Sequence, residues 1–391
     1  MLLLDYRAFA LLMAATLTVM SNATISPALP GLQAEFSANP NAEFLTRLLV
    51  TAPSLIVAVL APFAGAAADR FGRRRQLLLG ILIYGLAGTA GLWLNDLTSI
   101  LASRLLLGAA VALVMTAQSA LIGDYFAGET RGRFMGYQLA ATNFGGFVFI
   151  ITAGWLATES ARLPFAIYGL AFLYLPLIWS FLPKPDPSGA DVDNTAIVTR
   201  PDWHSVLAGL ALMSGATFVI FYILPTQIPF FLVEMGIPEP SAAAFVLSAL
   251  TLAGGVSALF FGRVRPLLGD GVTPAVGYIL MAIGFFTLAS GSSLLQFILG
   301  GGIIGGGLGL VMPNFMTAAL NVVPANRRGL ASGVLTTSIF LGQFLSPVVS
   351  TPVVFEWGYR SLLFAAGSCG VLLAACALFS FRRAFAGEEA A

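Results

Sequence analysis

The sequence predicts an all-α membrane protein with twelve transmembrane helices, arranged as two pseudo-symmetric six-helix bundles. Three observations carry that expectation. Hydrophobic residues make up 58% of the 391 and charged residues only 9%, whereas a soluble domain carries about 25% charged residues to solvate its surface. Twelve apolar runs are long enough to span a bilayer. Residues of the first half also recur in the second at one constant displacement.

The runs fall near residues 8–29, 45–67, 76–94, 99–122, 133–157, 164–182, 204–232, 241–261, 272–291, 293–321, 330–355 and 360–380. A hydrocarbon core of about 30 Å needs about 20 helical residues. Only helices or closed barrels satisfy their backbones in lipid, and these runs are too long and continuous for barrel strands. The first run lacks a cationic leader and ends in Pro27-Ala28-Leu29-Pro30, so it reads as a retained helix rather than a signal peptide.

Charge then orients the chain. With the N-terminus inside, the inner connections collect Arg7, Arg70, Arg73, Arg74, Arg75, Arg131, Arg133, Lys184, Arg200, Arg263, Arg265, Arg327, Arg328, Arg382 and Arg383. Only Arg47, Arg104, Arg162 and Arg360 fall outside or within the membrane. This is the basic bias of cytoplasmic loops. It places both termini in the cytoplasm of a multi-pass inner-membrane protein, and an odd helix count would scramble it.

The connector around Pro183-Lys184-Pro185-Asp186-Pro187-Ser188-Gly189 reads as a flexible linker over 184–203. It separates a bundle over 1–183 from one over 204–391. The two carry an internal echo: Val114-Met115, Arg131-Gly132 and Gly136 recur as Val311-Met312, Arg328-Gly329 and Gly333, each displaced by 197 residues. Two related halves are the arrangement that puts a binding site between repeats at the bilayer midplane.

Composition also excludes function classes. His204 is the only histidine and lies in the polar connector. Cys369 and Cys376 are too few for a disulfide scaffold or a metal site. No catalytic constellation, cofactor or metal is expected, so an embedded enzyme is disfavoured, and the absence of a Gly-x-x-x-x-Gly-Lys-Ser/Thr motif argues against direct ATP drive. A net charge of +1 gives no hint of nucleic acid. The partners expected are lipid, a small molecule and protons, with the chain acting as a monomer. A sensor would be favoured by an appended soluble domain, which the sequence lacks.

The most specific motif is Gly65-Ala66-Ala67-Ala68-Asp69-Arg70-Phe71-Gly72-Arg73-Arg74-Arg75. Gly65 would let helices approach closely and Gly72 permits a tight turn. Asp69 suits a neighbouring helix N-terminus, and Arg70, Arg73 and Arg74 can pair with acids such as Asp124 and Glu129. Such a cluster would latch one conformational state; the plainer reading is that the arginines only anchor topology.

This segment resembles, without a mismatch, the Gly-x-x-x-Asp-Arg-x-Gly-Arg-Arg-Arg/Lys loop of the major facilitator superfamily, and the resemblance extends over essentially the whole chain. It implies the major facilitator fold and alternating access by rocking of two bundles, with Asp69 and its arginines stabilising the outward-open form.

Arg104 is the second signal. An arginine inside a span costs at least about 2.5–3.5 kcal/mol, so it faces a cavity or partner, or snorkels to headgroups. With Gly108, Val111, Met115 and Gln118 it shares one helix face. Arg104-Leu105-Leu106-Leu107-Gly108 resembles the Arg-x-x-x-Gly pattern of the superfamily's drug:proton antiporters, which ties Arg104 to coupling, although Leu107 stands where glutamine is frequent. The antiporter Gly-Pro-x-x-Gly-Gly is replaced here by Phe149-Ile150-Ile151-Thr152-Ala153-Gly154.

Polar residues within spans are the remaining candidates for a substrate cavity: Asn22, Gln138, Tyr222, Gln227, Asn314 and Gln343, beside Arg104, Met115 and Gln118. The ordinary role of Ser and Thr in such places is to bond their own helix or a neighbour. Pro225, Pro229, Pro313 and Pro347 are candidate helix breaks. No carboxylate lies securely mid-span, and Glu35, just past the first run, is the nearest candidate for proton coupling together with Arg104. The expectation is a secondary transporter exporting small amphipathic molecules in exchange for protons. The alternative is a facilitator or proton symporter for a small neutral or anionic metabolite.

Overall fold

A computed structural model of the chain describes residues 5–126, 128–183, 203–324 and 327–385, without the side chains of Asp69, Gly128, Glu129, Gly132, Asp270 and residues 380–385. Every regular element among the described residues is helical. The α-helices are α1 (Tyr6–Ala23), α2 (Leu29–Glu35), α3 (Ala42–Phe71), α4 (Arg73–Thr89), α5 (Leu97–Tyr125) and α6 (Gly128–Glu159). They continue as α7 (Leu170–Phe181), α8 (Trp203–Phe221), α9 (Ile223–Glu234), α10 (Pro240–Ser290), α11 (Leu294–Val322) and α12 (Arg328–Phe385). The linker expected over 184–203 lies, except for Trp203, outside the described residues.

Eleven helical segments are long and apolar enough to cross a membrane. Ten overlap the first ten apolar runs, eight of them with both ends within three residues; Tyr6–Glu35 and Pro240–Gly269 run six and eight residues beyond the ends expected at 29 and 261. The last two runs fall in a single segment, Arg328–Phe379, of 52 residues. At about 1.5 Å per residue it is far longer than a core of about 30 Å, and non-helical backbone interrupts it at Gly358, φ 77° and ψ 169°. Gly269 breaks α10 in the same way, φ 79° and ψ 168°. Proline explains the break at Tyr222 between α8 and α9. Pro225 has no N–H to give Phe221, and its ring would clash with that carbonyl; in the first turn of α9 the missing donor costs nothing.

By contact, the chain divides into two compact units, residues 1–193 with 228–244 and residues 194–227 with 245–391. In the first, α5 packs along both α3 and α4. A methyl on Gly108 would fall on the Pro53 carbonyl of α3, so the backbones touch there. In the second, a methyl on Gly305 of α11 would fall on the Leu250 carbonyl of α10. Both partners of this contact are displaced by 197 residues.

The same displacement relates further pairs. A Cβ on Gly80 would lie 2.9 Å from Val114 Cγ2, and one on Gly277 2.7 Å from Val311 Cγ2. Gly72 and Gly269 both hold positive φ, 93° and 79°. Asp96 caps α5 by accepting the Ser99 N–H, and Ser293 caps α11 by accepting the Gln296 N–H. The echo of the sequence is therefore a repeat of turns, caps and helix contacts.

Candidate functional site

The interior of the first unit is stitched by polar groups that reach α1. Asn22 Nδ2 donates to Ser54 Oγ of α3 at 3.0 Å. Gln118 Nε2 donates to the Leu11 carbonyl at 2.8 Å, Tyr84 OH to Leu17 at 2.8 Å and Tyr168 OH to Ser21 at 3.2 Å. Helical carbonyls keep a second lone pair for such bonds. Asn22, Gln118, Tyr84 and Tyr168 are all buried.

Arg104 lies at the centre of this interior with 0% exposure, so it does not snorkel. Nη2 donates to the Gly88 carbonyl of α4 at 2.9 Å. The guanidinium carbon sits 4.6 Å from the ring centres of both Phe165 and Tyr168, a desolvated cation–π arrangement. Nε and Nη1 have no hydrogen-bond partner among the described residues. Of the face shared with Arg104, Gly108, Val111 and Gln118 are buried in helix packing, while Met115 is half-buried.

In the second unit, Gln227 Nε2 donates to Ser350 Oγ at 2.9 Å and Thr351 Oγ1 at 3.1 Å. Thr217 Oγ1 and Tyr278 OH share a bond of 2.5 Å. Asn314 and Gln343 are buried, and Tyr222, at the α8–α9 break, is half-buried. Ser214, Ser248 and Ser346 hold buried hydroxyls without a partner among the described residues, as does Thr51 of the first unit; such groups mark polar interior that water or ligand can satisfy. Gln138 of α6 is half-buried.

The Gly65–Arg75 segment ends α3 and begins α4. Gly72 supplies the turn, at φ 93° and ψ 122°. Arg73 pairs with Asp124 at the end of α5. Arg74 donates to the Trp179 carbonyl at 2.6 Å and stacks on that indole at 4.8 Å, while Arg70 is exposed beside Phe71. The close approach expected at Gly65 is not found: a methyl there would meet no described atom within 4 Å. The Asp69 and Glu129 side chains lie outside the described residues.

Comparison with known proteins decides the family. The model of the Major Facilitator Superfamily matches residues 11–347 and again residues 240–390. The chain belongs to the major facilitator superfamily. Multidrug resistance protein 2 of Bacillus subtilis (strain 168) is 25% identical over 313 residues, 77% of this chain and 78% of that protein. The triacylglyceride transporter of Mycolicibacterium hassiacum is 24% identical over 374 residues, covering 76% and 69%. Among solved structures, a D-xylose–proton symporter superposes with a TM-score of 0.74 at 16% identity, covering 96% of this chain and 97% of that one.

The chain is thus a major facilitator transporter related to multidrug resistance proteins. Two arrangements in this superfamily member were not singled out from the sequence. Arg47 is fully buried; its Nη1 donates to the Glu43 carbonyl at 2.6 Å, and the guanidinium stacks on Phe230 at 4.0 Å. The signal was available, since Arg47 is the third residue of an apolar run and carries the same insertion cost as Arg104. Arg162 ties Glu35: its Nε donates to Glu35 Oε1 at 2.6 Å and its Nη1 to the Leu94 carbonyl at 2.7 Å. Glu35 therefore sits in a partly exposed ion pair at the end of α2.

Proposed function

We propose that this chain is a secondary transporter that exports small amphipathic organic molecules by alternating access, in exchange for protons. In this reading residues 328–357 and 359–385 cross the membrane separately, giving twelve spans in two six-helix halves joined by the 184–203 linker, with both termini cytoplasmic. The Arg73–Asp124 pair, with Asp69, Arg70, Arg74, Gly65 and Gly72, forms the conformational latch. Arg104 and Glu35 couple proton movement, and Asn22, Met115, Gln118, Gln138, Tyr222, Gln227, Asn314 and Gln343 contribute the polar points of an otherwise apolar path.

The observation that carries the reading is the charge of the buried interior. Arg47 carries its own counter-ion, Glu43 Oε1 at 3.3 Å, which leaves Arg104 as the buried cation of the interior; among the described residues no Asp or Glu is buried. A path with one buried cationic group, Arg104, and no buried carboxylate among the described residues penalises a cationic substrate and accepts neutral or anionic ones. Apolar walls with few polar groups suit amphipathic ligands. The relatedness to a multidrug resistance protein and a triacylglyceride transporter supports the same class.

The test is uptake into inside-out proteoliposomes of fluorescent amphiphiles matched in size but anionic, neutral or cationic. Preference for the anionic or neutral probe, relaxed in Arg104→Ala, is expected. Equal uptake of the cationic probe, or unchanged selectivity in Arg104→Ala, contradicts the charge argument.

The second reading is a facilitator or proton symporter for a small neutral or anionic metabolite. The Gln227–Ser350–Thr351 and Asn22–Ser54 clusters favour it, since amides beside hydroxyls suit a polyol. It predicts saturable uptake of a sugar-like solute that amphiphiles do not inhibit.

A further inference from the structure

Both halves carry an arginine at the start of their last apolar run, and each ties down the end of the third. Arg162 donates to the Leu94 carbonyl at 2.7 Å. Arg360 donates to Ala289 at 2.5 Å and Gly291 at 3.0 Å. Leu94 and Gly291 are again 197 residues apart. The surroundings differ in bulk. Where the first half has Leu92, Trp93 and Leu163, the second has Ala289, Ser290 and Ser361. The smaller side chains leave a crevice of about 580 Å³ with Phe286 and Phe364 as its apolar walls and Arg360, Ser290 and Ser361 at its rim.

We propose that this crevice is a binding site for an anionic phospholipid. It lies where two membrane-spanning segments leave the hydrocarbon, the level at which headgroups sit. Its volume falls within the range of roughly 300–1,000 Å³ seen for small-molecule clefts. Apolar walls alone would select nothing in a bilayer, because lipid tails are as apolar as the walls. Selection must come from the rim. Arg360 and the Ser361 hydroxyl there can donate to a phosphodiester, the guanidinium through charge-assisted bonds, while the Ser290 hydroxyl already donates to the Phe286 carbonyl at 2.8 Å. The two carbonyls help to fix the guanidinium in place. Phe286 and Phe364, 5.0 Å apart between ring centres, would flank the upper acyl chain.

The proposal is independent of the transported substrate, and its test needs no transport. The purified full chain is presented with phosphatidylglycerol and phosphatidylcholine of identical chains in equal amounts, and retained lipid is counted by native mass spectrometry. Wild type should retain the anionic lipid in preference by about fivefold, the factor that one basic residue contributes near an anionic surface. Ser290→Trp with Ser361→Leu, which gives the second half the bulk of the first and keeps Arg360, should lose this retention. Arg360→Gln should bind both lipids equally. Equal retention by the wild type, or undiminished preference in the filled variant, would overturn the proposal.

Discussion

Replacing Arg104 by methionine separates a structural tie from a functional charge. Two ring faces in a desolvated site are worth about 2 kcal/mol each, and one charge-assisted bond to the Gly88 carbonyl about 1.5–3 kcal/mol. Against these stand two buried N–H groups without partners, about 1–3 kcal/mol each, and an insertion cost of about 2.5–3.5 kcal/mol. The terms cancel to within a few kcal/mol. Methionine fills much of the volume and keeps a sulfur–aromatic contact, so Arg104→Met should change stability by no more than about 1–2 kcal/mol. With about 2–4 °C per kcal/mol for a domain of about 200 residues, the thermal midpoint should move by only a few degrees. The assay is tryptophan fluorescence of the purified protein during heating, beside transport by the same preparation. A small shift with transport lost is the expected result. A loss of about 4 kcal/mol or more would show that the guanidinium holds the first half together, and the functional assignment would fall.

Three further outcomes follow from the geometry. Gly72→Ala meets no described atom within 4 Å, so its cost is backbone strain at φ 93°, about 1–3 kcal/mol; Gly269→Ala should match it in the same thermal assay. Gly108→Ala and Gly305→Ala each press a methyl on a facing carbonyl and should each lose about 1–3 kcal/mol by overpacking, read as paired drops in the melting midpoint. The Asp96 carboxyl is held below its ordinary value of 3.8 by the hydrogen bonds it accepts from Ser99. A lowered carboxyl pKa stabilises the fold above the unfolded value and loses that contribution as pH falls through the folded one. Any stability that Asp96→Asn removes should therefore be constant from neutral pH to about pH 4 and vanish below it, as followed by midpoint against pH.

The spans were legible because hydrocarbon demands unbroken apolar runs, and eight of them could be bounded to within three residues. The repeat was legible as five residues at one displacement; that it governs the Gly72 and Gly269 turns and the Gly108 and Gly305 contacts needed coordinates. Gly65 shows the limit of motif reading: its pattern suggested a close helix approach, yet it faces no described neighbour. Arg47 was counted only as one of four arginines outside or within the membrane, and what covers it was not legible: its guanidinium stacks on Phe230, more than 180 positions away. Glu35 looked like a lone acid beside a span until Arg162 folded against it. Long-range partners such as these leave no local pattern to read.

Proton movement in proteoliposomes carrying a pH-sensitive dye inside is the most direct test of coupled export. Adding a neutral or anionic amphiphile should produce a change in internal pH that depends strictly on that compound and disappears in Arg104→Ala. Substrate flux with no accompanying proton movement would contradict the account and leave a facilitator, or a transporter driven by another ion.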